Sequence, residues 1–118
     1  MTARLRTTAE FERVRARGHQ IRTRYVSVQC ERTGAGLARV GLVVGRRVGG
    51  AVQRNRVRRR LREIIRLSSG LPAGCDCVIT ARSPAALAAY ADLQSCLITA
   101  LRAASNSLGS PSGGPGAE

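Results

Sequence analysis

The clearest chemistry in this sequence lies in the arginine-rich segment 51–67, around the triplet Arg54-Asn55-Arg56. Guanidinium groups bind phosphate through two parallel hydrogen bonds and stack on bases. Spacing at 100° per residue predicts a helix with one apolar stripe and an arginine face opposite it. The stripe consists of Val57, Leu61, Ile64 and Ile65. Like charges one turn apart destabilise a helix, and Glu63 is the only acid here, so the pattern favours a polyanionic partner such as RNA or DNA.

The charge of the whole chain supports a nucleic-acid partner. The 118 residues carry a net charge of +13, and every basic residue is arginine. Residues 46–66 hold nine arginines against one acid, and residues 1–24 hold seven against two, so these segments contain the entire excess. Such a profile is typical of RNA-binding subunits, of ribosomal or translation-associated proteins, and of nucleoid-type DNA binders.

The sequence contains no recognisable protein active site for phosphodiester hydrolysis. That reaction needs metal-holding carboxylates or an acid–base pair, whereas the seven acids are scattered and His19 is the only histidine. Cys75 and Cys77 lack the usual zinc spacing. We expect reduced core thiols at the four cysteines, with a metal or disulfide role as the alternative. No apolar run reaches the length of a membrane span and no signal-peptide core is seen, so we expect a cytoplasmic protein.

Helix-capping residues, alternation of apolar and polar residues, and helix-breaking or strand-breaking residues predict the elements that position the arginine helix. Thr7 and Glu10 form a capping-box pattern for a first helix that ends at Gly18. Alternation predicts strands over residues 21–31, 38–45 and 75–82. A last helix begins near Asp92, and residues 106–118 are a Ser/Gly/Pro-rich tail that we expect to be disordered. The expected fold is therefore a small two-layer α/β sandwich formed by residues 1–105.

The block 39–63, RVGLVVGRRVGGAVQRNRVRRRLRE, closely resembles the signature of the bacterial ribonuclease P protein component. Residues 4–18 resemble that family's opening helix, and residues 77–84 resemble its last strand and exit turn. The resemblance covers roughly residues 4–105. An Arg-Asn-Arg triplet by itself is weak evidence for the family. The same triplet after a strand that contains glycine at regular positions is specific to it.

The resemblance implies a fold, an activity and partners. The implied fold is α+β, in the order αβββαβα, with an open mixed sheet and a left-handed β-α-β crossover. The implied function is to bind the catalytic RNA of ribonuclease P and the 5′ leader of precursor tRNA, and to assist endonucleolytic removal of that leader. The catalytic groups then lie in the RNA with Mg²⁺, and the protein alone binds no cofactor or metal.

The resemblance also assigns residues to two sites. The RNA-binding residues are Arg46, Arg47, Arg54, Asn55, Arg56, Arg58, Arg59 and Arg62. The resemblance places Phe11, Arg15 and Gln29 in the leader cleft, and strand alternation puts Tyr25 and Ser27 on the same outward face as Gln29, so we expect all five residues to line the cleft. Two of these depart from the family pattern, because many members have an aromatic residue at the position of Arg15, and some have one at the position of Gln29. A guanidinium can stack on bases as a ring does, so we expect Arg15 to serve the cleft.

Overall fold

A mixed β-sheet with helices on both faces is the framework of the protein. The structure, a computed structural model, describes residues 2–5, 7–34, 36, 38–68 and 74–108. The strands lie in the order β1-β4-β5-β3-β2. Along the chain the elements are β1 (Thr2–Arg4), α1 (Thr8–Arg17), β2 (His19–Arg22), β3 (Val26–Arg32), β4 (Ala38–Val43), α2 (Ala51–Leu67), β5 (Cys75–Ala81), a 3-10 turn (Ser83–Leu87) and α3 (Tyr90–Leu108). The implied αβββαβα order is thus confirmed, with the three-residue β1 added in front.

The strand pairing explains how the sheet is mixed. β4 and β5 are parallel neighbours joined through α2, which is the expected β-α-β unit. β5 pairs antiparallel with β3, which pairs antiparallel with β2. At the other edge β1 pairs parallel with β4. The last strand in the chain is therefore inserted between β4 and β3, two strands that are consecutive in sequence.

The single strand predicted over residues 21–31 is wrong, because the structure has two strands there. The Thr23 hydroxyl donates to the carbonyl oxygen of Val26 at 2.8 Å and accepts from the Val26 amide at 3.2 Å. A threonine that bonds local backbone groups in this way replaces ladder hydrogen bonds and favours a turn. The chain therefore reverses at Thr23 and forms a β2–β3 hairpin, which places β2 at the edge of the sheet.

Both ends of α1 are fixed by the residues that the sequence indicates. The Thr7 hydroxyl accepts from the Glu10 amide at 3.1 Å, and the Glu10 carboxylate accepts from the Thr7 amide at 3.0 Å, which confirms the capping box. The helix stops at Gly18, whose backbone is extended. A side chain there would collide with the carbonyl oxygen of Val14. Glycine is required at this end because of a close backbone approach.

The main core lies between one sheet face and helices α2 and α3. The predicted bounds and stripe of α2 are confirmed, since Val57, Leu61, Ile64 and Ile65 are all buried. The buried stripe of α3 consists of Leu93, Leu97, Ala100, Leu101 and Ala104. That helix begins at Tyr90 and continues to Leu108, three residues past the expected end of the folded domain. The rest of the predicted tail lies outside the described residues.

Two of the four cysteines differ from the expectation of reduced thiols. Cys30 on β3 and Cys77 on β5 are directly opposed across the antiparallel pair, with their Cα atoms 4.2 Å apart, and form a disulfide. The expectation was wrong for this pair because it depends on which strands are neighbours. Cys75 and Cys96 are free thiols. Burial raises the pKa of the Cys75 thiol, so it stays protonated at neutral pH.

Candidate nucleic-acid interface

The second sheet face is covered only in part, by α1, and its side chains form three rows across the strands. The strand registers align Arg39, Asp76 and Glu31 in the first row. They align Gly41, Val78, Gln29 and Gln20 in the second row. The third row consists of Val43, Thr80, Ser27 and Arg22. Helix α1 packs on the first two rows, and Val43 at one end of the third row packs against the same apolar cluster.

The first row anchors α1 through a network of charges. Asp76 is fully buried and accepts from Arg13 of α1 and from Arg39 of β4, the latter at 2.7 Å. Arg39 also pairs with Glu10 at 2.6 Å, and Arg13 pairs with Glu31 at 2.8 Å. The pKa of Arg13 is raised mainly by its hydrogen bond to Glu31, and the pKa of Arg39 mainly by its bond to Asp76. These two arginines stabilise the fold, and their guanidinium groups are already paired with carboxylates of the protein.

The second row gives α1 its apolar seat. Val14 is fully buried in a small cluster with Leu5 and Val78, and the partly buried Phe11 packs against that cluster. The Phe11 ring rests on the backbone of Gly41, so closely that a β-carbon at Gly41 would overlap it. The Gln29 amide donates to the Arg15 carbonyl oxygen at 3.1 Å. The space above Gly41 is therefore filled by a ring of the protein itself.

A double-mutant cycle tests this contact between Phe11 and Gly41. We expect Gly41→Ala to lower the free energy of unfolding by about 1–3 kcal/mol, because it overpacks the seat of α1. The same change should cost much less in a Phe11→Ala background, where the new methyl group has room. Urea denaturation of the four proteins measures the coupling. Gly45→Ala is the control, because nothing lies within 4 Å of its added carbon. Equal costs in both backgrounds would contradict the contact.

The third row lies beside α1, and we call the surface of this row the sheet trough. Its floor consists of Val43, Thr80, Ser27 and Arg22, one residue from each of four neighbouring strands. Phe11 and Arg15 lie four residues apart on α1 and therefore share the helix flank beside this floor. Arg15 and Arg22 are exposed, while Ser27 is 8% exposed and accepts from the Gln20 amide at 2.9 Å. The trough is thus polar, with a ring along one side.

The structure brings together four of the five residues assigned to the leader cleft. Four of them lie in the trough or beside it, namely Phe11, Arg15, Ser27 and Gln29. Tyr25 lies in the bend before β3 and packs against the main core, with the Arg24 guanidinium 5.4 Å from its ring centre. The alternation over residues 21–31 predicted Tyr25 beside Ser27, because that pattern was extended through this bend. It missed Thr80 and Arg22, whose position depends on the strand order.

The second candidate surface is the solvent face of α2, which we call the basic face. A shallow groove runs along it, lined by Val52, Asn55, Arg58, Arg59, Arg62, Glu63 and Arg66. Arg58 donates to the Asn55 side-chain oxygen at 3.2 Å, and Arg66 pairs with Glu63 at 2.6 Å. The pKa of Arg62 is lowered by partial desolvation, and further by the positive charges of Arg4 and Arg58. The basic face therefore extends towards Arg4 on the edge strand β1.

The other predicted RNA-binding residues flank this groove. Arg54 is partly buried, and its Nε atom is buried with no hydrogen-bond partner among the described residues. Arg56 is exposed on the other side of the groove. Arg46 and Arg47 are exposed in the turn between β4 and α2. The assigned residues thus lie in the turn after β4 and along the solvent side of α2.

Two other kinds of site are absent from the described residues. Within the described part of the chain, no group of three or more histidine, cysteine or acidic side chains is arranged to hold a metal ion. None of the described helices combines the length and the apolar character needed to cross a bilayer.

Comparisons with known proteins agree with this architecture. The family model described as Ribonuclease P matches residues 1–105. The ribonuclease P protein component of Chloroflexus aurantiacus is 43% identical over 103 residues, covering 86% of this chain and 76% of that protein. The corresponding protein of Acidothermus cellulolyticus is 43% identical over 97 residues, covering 76% of this chain and 78% of that protein.

Solved structures show the same fold. The RNase P protein of Staphylococcus aureus superposes with a TM-score of 0.78 at 27% identity, covering 86% of this chain and 94% of that one. The RNase P protein of Thermotoga maritima gives a TM-score of 0.77 at 28% identity, covering 85% and 96%. Because the matched residues include both the basic face and the sheet trough, and because sequence and fold agree, the chain belongs to the ribonuclease P protein family.

Proposed function

We propose that this protein binds the catalytic RNA of ribonuclease P through the basic face and assists removal of the 5′ leader from precursor tRNA. The observation that carries the proposal is the groove along α2. Asn55, Arg58, Arg59 and Arg62 lie together on it, and among the described residues that line it Glu63 is the only acid. That acid is paired with Arg66. The remaining guanidinium groups repel one another, and the phosphates of an RNA backbone relieve this repulsion.

The contribution of the basic face is neutralisation of RNA charge. Each arginine that contacts a phosphate releases condensed counterions, which supplies binding free energy that weakens as salt is added. Arginine charges fixed on a helix also replace diffuse cations between two RNA molecules. The holoenzyme should therefore need less free Mg²⁺ than the RNA alone to hold its substrate. Mg²⁺ and the catalytic RNA supply the chemistry of phosphodiester cleavage in this proposal.

The sheet trough suits a single strand, and we assign it to the leader. Phe11 offers a partly exposed ring beside a polar floor, and Arg15 offers an exposed guanidinium on the same flank of α1. Bases of a single strand stack on rings and guanidinium planes while their phosphates pair with cations. A surface one row of side chains wide, bordered by a helix, suits one strand better than a duplex. The trough therefore fits the unpaired nucleotides that precede the mature tRNA.

The decisive experiment adds the purified chain to the catalytic RNA at limiting Mg²⁺ and follows cleavage of labelled precursor tRNA. We expect the chain to restore cleavage at the mature 5′ end under conditions where the RNA alone is nearly inactive. The chain without RNA should leave the precursor intact. Protein-only cleavage, or the absence of any stimulation of the RNA, would contradict the proposal. Cell fractionation would test the cytoplasmic location that we expect for this reaction.

The RNA recovered with the chain from cells separates the proposal from its alternatives. One abundant structured non-coding RNA, able to cleave precursor tRNA with the protein, is the expected product of a pull-down. Ribosomal RNA would instead indicate a translation-associated protein, and genomic DNA would indicate a nucleoid protein. Both alternatives share the charge profile, so the identity of the recovered nucleic acid decides between them.

A further inference from the structure

Arg22 lies at the outer end of the sheet trough. The registers place it beside Ser27, in the row that continues through Thr80 to Val43. Strands in a sheet are about 4.8 Å apart, so the row from β4 to β2 spans about 14 Å. Because β2 is the edge strand, the trough opens to solvent beyond Arg22. A strand that follows the trough outward from β4 must pass this side chain.

The surroundings of Arg22 leave its charge available. It is exposed, and no ion pair or hydrogen bond of its side chain is found within the described ranges. Gln20, the nearest polar neighbour on the same strand face, has its amide on Ser27. By contrast, Arg13 and Arg39 on the same side of the sheet are held by Asp76, Glu10 and Glu31. Arg22 is therefore the cation of the trough floor that can pair with a ligand.

The turn that follows β4 is also positive. Beyond Val43 the chain continues into the turn that carries the exposed Arg46 and Arg47. Arg15 lies on the flank of α1 beside the trough. An extended polyanion lying in the trough would thus pass Arg15 along its length and Arg22 where it leaves over β2.

We propose that Arg22 is a distal phosphate contact for the single strand in the sheet trough, and that it extends the leader site to the edge of the sheet. This inference rests on the proposed function, because it takes the leader as the occupant of the trough. Nucleotides next to the mature tRNA would lie near Phe11 and Arg15. The phosphates further upstream in the leader would pass Arg22 as the strand leaves over β2.

The inference predicts that Arg22 matters only for longer leaders. Precursors whose leaders are shortened one nucleotide at a time from about eight are bound to the reconstituted holoenzyme, and affinity is measured for each. With the wild-type chain, affinity should rise as the leader grows until it spans the trough. With Arg22→Ala the last increment should disappear, a roughly fivefold to tenfold loss, and the salt slope should fall by somewhat under about 1 for the longest leaders alone.

Two variants separate a specific contact from a general effect of charge or folding. Arg22→Lys keeps the charge and should retain most of the increment. Arg102→Ala removes an equal charge from the exposed side of α3 and should change nothing. Thermal unfolding of each variant confirms that the fold persists, which we expect because Arg22 is exposed. If Arg22→Ala misfolds, Arg22→Gln provides the same comparison with a smaller change of side chain.

The outcomes distinguish this inference from the proposal beneath it. If Arg22→Ala weakens short leaders and mature tRNA as much as long leaders, the distal contact is refuted. If it changes no leader length while substitutions at Phe11 and Arg15 still reduce leader binding, the leader occupies the trough but does not reach Arg22. If none of these substitutions affects leader binding, the leader does not use the trough, and the leader part of the proposed function is overturned.

Discussion

Replacing Arg59 and Arg62 together with alanine should weaken binding of the catalytic RNA by about a hundredfold at low salt. Both side chains are exposed and line the groove of the basic face. A hydrogen bond to a charged group contributes about 1.5–3 kcal/mol, and two lost contacts at the lower value total about 3 kcal/mol, or roughly a factor of a hundred. The slope of binding against salt concentration should fall by about 1.4–1.8, since each lost phosphate contact removes about 0.7–0.9.

The free protein should not be destabilised by this double substitution. Arg62 is surrounded by the like charges of Arg4 and Arg58, which help to lower its pKa, so its removal relieves repulsion. We expect the melting temperature to be unchanged or slightly raised. Arg17→Ala with Arg102→Ala is the matched control, because it removes two exposed arginines from α1 and α3. Equal weakening by the control pair would mean that net charge, rather than the basic face, determines RNA affinity.

Substituting Phe11 and Arg15 should remove most of the preference of the holoenzyme for precursor tRNA over mature tRNA. The Phe11 ring is partly buried against Gly41 and is also part of the seat of α1. Phe11→Leu is therefore the better variant, since leucine keeps apolar packing and removes the aromatic surface. One stacked base is worth about 1–3 kcal/mol. With Arg15→Ala in addition, we expect at least about a tenfold loss of discrimination.

The measurement compares dissociation constants of the holoenzyme for precursor and mature tRNA, with the chain saturating the catalytic RNA. Affinity for the catalytic RNA itself should barely change, because α1 lies on the sheet face opposite α2. The basic-face variant should show the converse pattern, with weak assembly and a normal preference once assembled. Equal loss of precursor and mature tRNA binding would show that Phe11 and Arg15 act through general electrostatics, and the trough would then not be the leader site.

The sequence alone predicts the basic face more completely than it predicts the sheet trough. The basic face is a property of one helix, so the 3.6-residue period fixes which residues are buried and which carry the arginines. Its bounds and apolar stripe were predicted correctly for this reason. The capping box at Thr7 and the stop at Gly18 are equally local. Membership of the family followed from the same stretch, because its motif is contiguous in the chain.

The trough and its supports were decided by the tertiary structure. β5 lies between β4 and β3, and this insertion brings Thr80 between Val43 and Ser27. The same insertion places Asp76 between Arg39 and Glu31. Each of these pairings joins residues far apart in sequence. The two-residue period of a strand predicts which side chains lie on the same face of the sheet, but it does not predict which strand is the neighbour. The alternation pattern predicted one strand where the structure has a hairpin at Thr23. This hairpin creates the edge strand β2 and so determines the position of Arg22. The sequence by itself thus determined the family and the arginine face of α2, because these depend on neighbours along the chain. Only the tertiary structure decided which residues surround the sheet trough, because that depends on which strands lie next to one another.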